Sequence, residues 1–164
     1  MKKPAIHEHE FISKVLMGNE DAIRFANELF FVSQIWDDMI DKDPAPSEEN
    51  INRMMWVVLI ELPLNPFYHA NFAHLIPCMK SAIRDWLDAN DFEKEARENP
   101  HDACGMELRT AYIIRDTIGT ILSEMAYIIG GYDWMRQVSP EVRKWVHDED
   151  YDDYVKGICR REKQ

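Results

Sequence analysis

Apolar residues recur at helical spacing along most of this chain, and no segment has the alternating pattern of a β-strand. Between Glu20 and Lys42 the apolar positions follow the i, i+3 and i+4 rule of one helical face, and Asn19 stands in front as a capping residue. Asp43-Pro44 ends this predicted helix, because a proline restricts the residue before it and has no N–H to donate.

Prolines also mark the limits of the next two predicted helices. Ser47 caps the first of them, which stops at Pro63. Asn65-Pro66 starts the second, since a proline at the first helical position loses no hydrogen bond, and Pro77 is expected to bend it. A short charged piece then leads into the second half of the chain. The three predicted ranges are Glu48–Leu62, Pro66–Ala89 and Asp91–Glu98.

The second half of the chain is predicted to contain the longest helix, over His101–Ile129. Asn99-Pro100 opens this helix and Gly130-Gly131 closes it. Ser139-Pro140 begins a short helix after it. The charged tail carries four apolar side chains that are able to pack as one stripe: Tyr151, Tyr154, Val155 and Ile158.

These elements together predict an all-α fold, a bundle of about six to seven helices. With 164 residues the chain is long enough to bury one core, so residues 1–164 are expected to form a single domain. Residues 1–18 are expected to be a flexible arm, and residues 148–164 a charged, acidic C-terminal segment. Five aromatic residues are predicted to anchor the core rather than to wall an apolar pocket: Trp56, Phe67, Tyr68, Phe72 and Trp86.

The chain is acidic, with a net charge of −11. This charge repels phosphate, so direct binding to nucleic acid or to an anionic membrane is not expected. The three cysteines, Cys78, Cys104 and Cys159, are widely spaced, which favours a reducing compartment over a disulfide framework. The sequence has neither a secretory signal pattern nor an apolar run that could span a bilayer, so a cytoplasmic location is expected. Homo-oligomerisation stays open.

Two acidic motifs are the candidates for chemistry. Asp37, Asp38 and Asp41 form a DDxxD sequence near the end of the first predicted helix, where Asp37 and Asp41 share a face. Carboxylates at the end of an apolar stripe need a cation to offset desolvation, so the motif is a candidate Mg²⁺ site. The other interpretation is an ordinary solvated helix end.

The second motif lies in the predicted long helix. Asp116, Thr120 and Glu124 follow one another at intervals of four residues on one side of it, where they are candidate metal ligands. The same segment offers three candidate contacts for an anionic ligand: Arg109, Tyr112 and Arg115. An ordinary polar face of an amphipathic helix would have a similar spacing.

In these motifs the chain resembles class I isoprenoid and terpene synthases, which are all-α enzymes with a DDxxD-type motif on one helix and an (N/D)Dxx(S/T)xxxE motif on a facing helix. Thr117 stands where the family has an aspartate. The resemblance implies that Mg²⁺ ions lie between Asp37, Asp38 and Asp41 on one side and Asp116, Thr120 and Glu124 on the other. It further implies a diphosphate ester as ligand and an apolar, aromatic-lined pocket for its hydrocarbon part.

Two other functions stay open. The acidic run Asp148–Asp153 is typical of a solvated segment, but it also fits a non-enzymatic interaction protein, such as an assembly chaperone or inhibitor, that binds a basic protein partner. Histidines at positions 69 or 74, together with His101-Asp102 and Asp116, permit an HD-type metal phosphohydrolase. Both are alternatives to the main prediction, which is a divalent-metal cleft for a diphosphate-containing ligand, with or without catalysis.

Overall fold

The computed structural model describes residues 5–41, 44–98, 105–147 and 149–160, and within this part of the chain every regular element is a helix. The predicted all-α, single-domain bundle is confirmed. In chain order the helices are α1 (Ala5–Val15), α2 (Glu20–Asp41), α3 (Glu48–Trp56), a π-helical turn (Val57–Glu61), α4 (Leu62–Leu64), α5 (Pro66–Glu98), α6 (Met106–Ile114), α7 (Thr117–Val146) and α8 (Tyr151–Arg160).

Helix α1 belongs to the bundle. Ile12, Val15 and Leu16 have no exposed surface and lie in the main core. The expectation of a flexible arm is therefore wrong for residues 5–18, because this segment buries three large apolar side chains. A left-handed residue, Gly18 (φ +70°), ends the helix, and its N–H bonds to the Ser13 carbonyl at 2.9 Å.

Side-chain caps begin the helices where the sequence predicts them. Asn19 Oδ1 accepts the Ala22 N–H at 3.0 Å, and Ser47 Oγ accepts the Asn50 N–H at 3.2 Å. Asn65 accepts the Tyr68 N–H at 3.1 Å through Oδ1. These bonds satisfy backbone donors that a helix start otherwise leaves unpaired. The capping predictions for Asn19 and Ser47 are confirmed, and the predicted helix start at Asn65-Pro66 is confirmed with Asn65 as an additional cap.

The second predicted helix, over 48–62, is interrupted rather than continuous. It changes to π-helical bonding at Val57–Glu61 before α4 begins at Leu62. A π turn widens the helix and shifts the register of the side chains that follow. The next helix is longer than predicted: α5 runs through Pro77 and includes the charged piece 91–98, which is no separate element.

The prediction of one continuous helix over 101–129 is wrong, because two helices occupy this range. Residues 99–104 lie outside the described part of the chain, and α6 ends at Ile114, with Arg115 and Asp116 between it and α7. Asp116 has ψ of 50° and caps α7. The closure at Gly130-Gly131 appears as a kink, because Gly131 has φ of 75° and interrupts the helical geometry within α7.

Two apolar clusters hold the described residues together. The main core lies between α1, α2, α5 and α7, with Phe25, Leu75 and Leu122 fully or almost fully buried. A smaller cluster joins the end of α5 to α6 and α8. It contains the predicted tail stripe, with Tyr154 and Ile158 buried, so that prediction is confirmed. None of the described helices is long and apolar enough to cross a membrane.

Candidate functional site

An apolar cavity of about 480 Å³ lies between α2, the α3–α4 segment, α5 and α7. We refer to it as the apolar cavity. Apart from the indole N–H groups of its two tryptophans, its polar side chains are the hydroxyl-bearing residues Ser33 and Thr117. Methionines occur on three of its walls, and two tryptophans stand beside each other at one side. The lining consists of Leu29, Val32, Ser33, Trp36, Met39, Met54, Met55, Val58, Leu62, Met79, Ala82, Ile83, Trp86, Thr117, Ile118 and Ile121.

The helical periodicity of the sequence explains why these side chains meet. On α2 the lining residues Leu29, Val32 and Trp36 follow the i, i+3, i+7 rule, which places them on one face. Met79, Ala82, Ile83 and Trp86 do the same on α5. Helix faces of this kind usually interdigitate into a closed core. Here space remains between them, where α5 contributes the short side chain of Ala82.

The apolar cavity opens to solvent through a rim of apolar side chains. Met39, Met55, Val58 and Ile83 line it and are at the same time 39, 46, 38 and 42% exposed. Large apolar side chains that surround a cavity and also face water form an entry for an apolar group. Methionine adds adaptability, since its unbranched thioether changes rotamer easily to fit different shapes.

Polar recognition inside the apolar cavity is sparse. Ser33 uses its hydroxyl to donate to the Phe30 carbonyl of its own helix at 2.9 Å, which leaves its oxygen able to accept a hydrogen bond. Trp36 and Trp86 have ring centroids 4.4 Å apart at an angle of 43°. A site built in this way selects hydrophobic shape rather than a pattern of charges.

The aromatic predictions have a mixed outcome. Phe67 and Tyr68 pack around Phe25 as expected, with Phe25 and Tyr68 stacked at 5.2 Å. Trp86 lines the apolar cavity, and Trp56 and Phe72 are each 57% exposed, so these three are not core anchors. Sequence periodicity missed the cavity because it identifies apolar faces and not the distance between them.

The first acidic motif lies at the end of α2, beside two lining residues of the apolar cavity. Trp36 and Met39 line it, and Asp37 and Asp38 are their chain neighbours. Burial raises the pKa of Asp37, and the Arg115 guanidinium offsets part of this rise. Asp41 and Asp38 raise that pKa further as negative neighbours.

The second motif is used by the fold. Asp116 accepts the Gly119 N–H at 3.2 Å as the cap of α7, and Arg143 Nη1 lies 2.6 Å from its other carboxylate oxygen. His147 Nε2 is 3.5 Å from the same oxygen. A side chain at position 119 would collide with this carboxylate, so a glycine is required there. Burial raises the pKa of Asp116, while Arg143 and His147 oppose the rise.

Of the remaining members of the second motif, Thr120 shares the partner Arg143 with Asp116, and Glu124 lies near Cys78. Thr120 Oγ1 accepts from Arg143 at 3.2 Å, and half-buried Glu124 lies close enough to Cys78 to raise the pKa of its thiol, after burial as the main cause. Across the described ranges, no three or more His, Cys, Asp or Glu side chains are grouped to hold a metal ion.

The three candidate anion contacts are also separated. Arg109 is exposed on α6. Tyr112 donates to the Glu149 carbonyl at 2.5 Å and packs against Tyr151 and Tyr154. Arg115 pairs with the buried carboxylate of Glu93 at 2.9 Å. Tyr112 and Arg115 therefore already have partners within the chain, on the segment before α8 and on α5.

Glu93 is the centre of a polar network that sequence reasoning missed. Only 5% of the residue is exposed, and its carboxylate is bonded by Arg97 at 3.1 Å, by Arg115 at 2.9 Å and by the Tyr154 hydroxyl at 2.7 Å. Burial and the Glu93 carboxylate raise the pKa of Tyr154. A glutamate on a predicted charged segment gave no signal of burial, because its pair with Arg97 is an ordinary i, i+4 contact and its other two partners, Arg115 and Tyr154, are 22 and 61 residues away.

A second, polar groove lies on the other side of the α3–α4 segment. It has a volume of about 1040 Å³, and its lining includes Arg24, Glu28, Arg53 and Glu61. Burial and the neighbouring Glu61 raise the pKa of Glu28. Glu28 Oε2 is buried without a hydrogen-bond partner among the described residues, whereas Glu61 accepts the Trp56 indole N–H at 3.1 Å.

The residues of the two alternative functions are described only in part. In the acidic tail Asp148 lies outside the described residues, and Asp150 caps α8 by accepting the Asp152 N–H at 2.8 Å. His101-Asp102 also lies outside the described part, while Asp116 is committed to its helix cap.

The chain matches no family model, no curated protein and no solved structure.

Proposed function

We propose that this protein binds a predominantly apolar ligand in the apolar cavity. The observation that supports the proposal is the cavity itself, whose volume of about 480 Å³ lies within the range of roughly 300–1,000 Å³ typical of small-molecule sites. Its walls are apolar apart from two hydroxyl-bearing residues, so a hydrocarbon chain or ring system suits it better than a charged metabolite. Its rim is open to solvent, which provides an entry path.

Filling the apolar cavity is expected to stabilise the protein. Space between apolar side chains lowers the stability of the folded chain, because the lining side chains lose dispersion contacts and offer water few hydrogen bonds. A ligand that binds only the folded chain adds stability by mass action, about 2.7 kcal/mol when its free concentration is 100 times its dissociation constant. A rise in melting temperature should therefore accompany binding.

The Mg²⁺ and diphosphate part of the sequence hypothesis stays a prediction. Asp37, Asp38 and Asp41 lie at the end of α2, next in sequence to cavity-lining residues, which would bring a diphosphate near them if the hydrocarbon part occupied the cavity. Asp116 and Thr120 contact Arg143, so they would have to leave this partner before ligating metal. The first motif is accordingly the better candidate of the two.

The test compares farnesol with farnesyl diphosphate, each with and without Mg²⁺, by quenching of tryptophan fluorescence and by thermal melting. Trp36 and Trp86 lie at the cavity wall and should report occupancy. We expect saturable binding of farnesol without metal. If the diphosphate binds more tightly only with Mg²⁺, and Asp37→Asn removes that gain, the acidic motif takes part as well.

A matched pair of variants locates the ligand. Ala82→Leu extends a side chain into the apolar cavity, whereas Ala73→Leu adds the same group at an exposed site on the same helix. We expect Ala82→Leu to weaken farnesol binding at least tenfold, about 1.4 kcal/mol, and Ala73→Leu to leave it unchanged. Absence of saturable binding in the parent protein, or equal affinity in both variants, would overturn the proposal.

A further inference from the structure

Helix α5 carries an exposed apolar stripe that no described part of the chain covers. Its members are Phe72, Ile76, Ile83 and Leu87, which are 57, 45, 42 and 47% exposed. At about 100° per residue, all four point within roughly 60° of one another. They therefore form one straight line along the helix, about 22 Å long at 1.5 Å per residue. We call this set the α5 stripe.

The spacing of the α5 stripe is symmetric. Phe72 and Leu87 are equally far from the point between Met79 and Lys80, and so are Ile76 and Ile83. When two identical helices pair antiparallel about a two-fold axis through that point, each apolar residue lies opposite another apolar residue.

The apolar surface continues beyond α5. Ile83 lines the apolar cavity together with Met55 and Val58, which are 46 and 38% exposed. Leu59, next to Val58 in the chain, is 62% exposed. These exposed side chains widen the apolar surface beside the stripe, as a contact broader than one helix requires. Neighbouring exposed apolar side chains of this kind mark interaction sites.

We infer that the α5 stripe is the contact surface between two copies of this chain, paired antiparallel with Phe72 opposite Leu87 of the partner and Ile76 opposite Ile83. Phe72 and Ile76 lie outside the apolar cavity, whereas Ile83 belongs to its rim, so the dimer contact and the proposed ligand site share this residue. The partner copy lies over Ile83 and thus beside the rim of the cavity. Each copy carries a net charge of −11, so salt should strengthen the pairing by screening their repulsion.

Sedimentation velocity over a range of concentrations, at low and at high salt, tests the pairing. We expect a reversible dimer that becomes tighter at high salt. Ile76→Lys should raise the dimer dissociation constant at least tenfold. Ile113→Lys is the control, because Ile113 is 63% exposed on α6 and lies outside the α5 stripe. A parent protein that stays monomeric at every concentration, or an Ile76→Lys variant that dimerises like the control, overturns the inference.

A charge-pair series tests the antiparallel register and does not depend on any one variant folding well. Phe72→Lys and Leu87→Glu should each weaken the dimer, since each places one charge against an apolar partner. The double variant brings Lys opposite Glu at both ends, and we expect its dissociation constant to be lower than that of either single variant. A double variant weaker than both single variants contradicts the antiparallel register. Circular dichroism of each variant verifies that the helices are intact.

Discussion

Two regions of the bundle differ in whether their side chains find partners within the chain: the buried charges around Glu93 and Asp116, and the apolar cavity. Around Glu93 and Asp116, charged groups are buried and each finds partners within the chain. Around the apolar cavity, side chains suited to a core surround open space and reach the surface at Met55 and Ile83. A buried charge that is paired within the chain has a structural role. An apolar surface that no other part of the described chain covers is available to a ligand or a second copy. The difference directs the functional proposal to the second region.

The largest effect on stability is expected from Glu93→Ala. It removes the carboxylate shared by Arg97, Arg115 and Tyr154, so both partly buried guanidinium groups lose the anion to which they are bonded. The expected loss is about 2–4 kcal/mol in the free energy of unfolding, measured by urea denaturation. Glu98→Gln, at an exposed position of the same helix, should change it by less than about 0.5 kcal/mol. Equal effects of the two variants would show that the network adds nothing.

Substitution of Asp116 distinguishes a structural role of this residue from a role as a metal ligand. Asp116→Ala removes the cap of α7 and the partner of Arg143, so we expect a loss of about 2 kcal/mol, present equally with and without Mg²⁺. Asp116→Asn keeps an oxygen for the Gly119 N–H and should lose less. Thermal melts of the three proteins check this. If Mg²⁺ stabilised only the parent protein, Asp116 would be a metal ligand after all.

The smallest effect concerns pH and the polar groove. Because the pKa of Glu28 is raised, the folded chain binds this proton more tightly than the unfolded chain does. The associated stability is present below the ordinary carboxyl pKa of 4.5 and is lost as the pH rises through the raised value.

Glu28→Gln removes this titration, so at pH 8 it should be more stable than the parent protein by about 0.5 kcal/mol, the size of a like-charge contact. At pH 4 the two proteins should be nearly equal. Glu20→Gln, an exposed acid at the start of the same helix, is the control. A constant difference between parent and Glu28→Gln from pH 4 to pH 8 would rule out this linkage.

The sequence predicted the elements of the fold better than the candidate site. The caps at Asn19 and Ser47 and the helix start at Asn65-Pro66 were predictable because each depends on residues a few positions apart in the chain. The break at Asp116 was not, since an aspartate with good helical neighbours fits both a helix interior and a cap. Arg143, which fixes that carboxylate, is 27 residues away.

The apolar cavity could not be predicted for a related reason. Its walls read as ordinary apolar faces of α2 and α5, and the gap between them depends on how far apart the helices lie. The π turn at Val57–Glu61, which sets where Val58 points, also gives no recognisable sequence signal. Local periodicity describes faces, and the volume between faces is a property of the whole bundle.

The most direct test of the central claim is a methyl NMR titration of the protein with farnesol, observed at the methionine Cε groups. Met54, Met55 and Met79 line the apolar cavity, whereas Met17 and Met106 are exposed elsewhere and Met125 is buried in the main core. We predict saturable shifts at the first three with a single dissociation constant, and no comparable shifts at the other three. Shifts confined to Met17 and Met106, or none at all, would contradict ligand binding in the cavity.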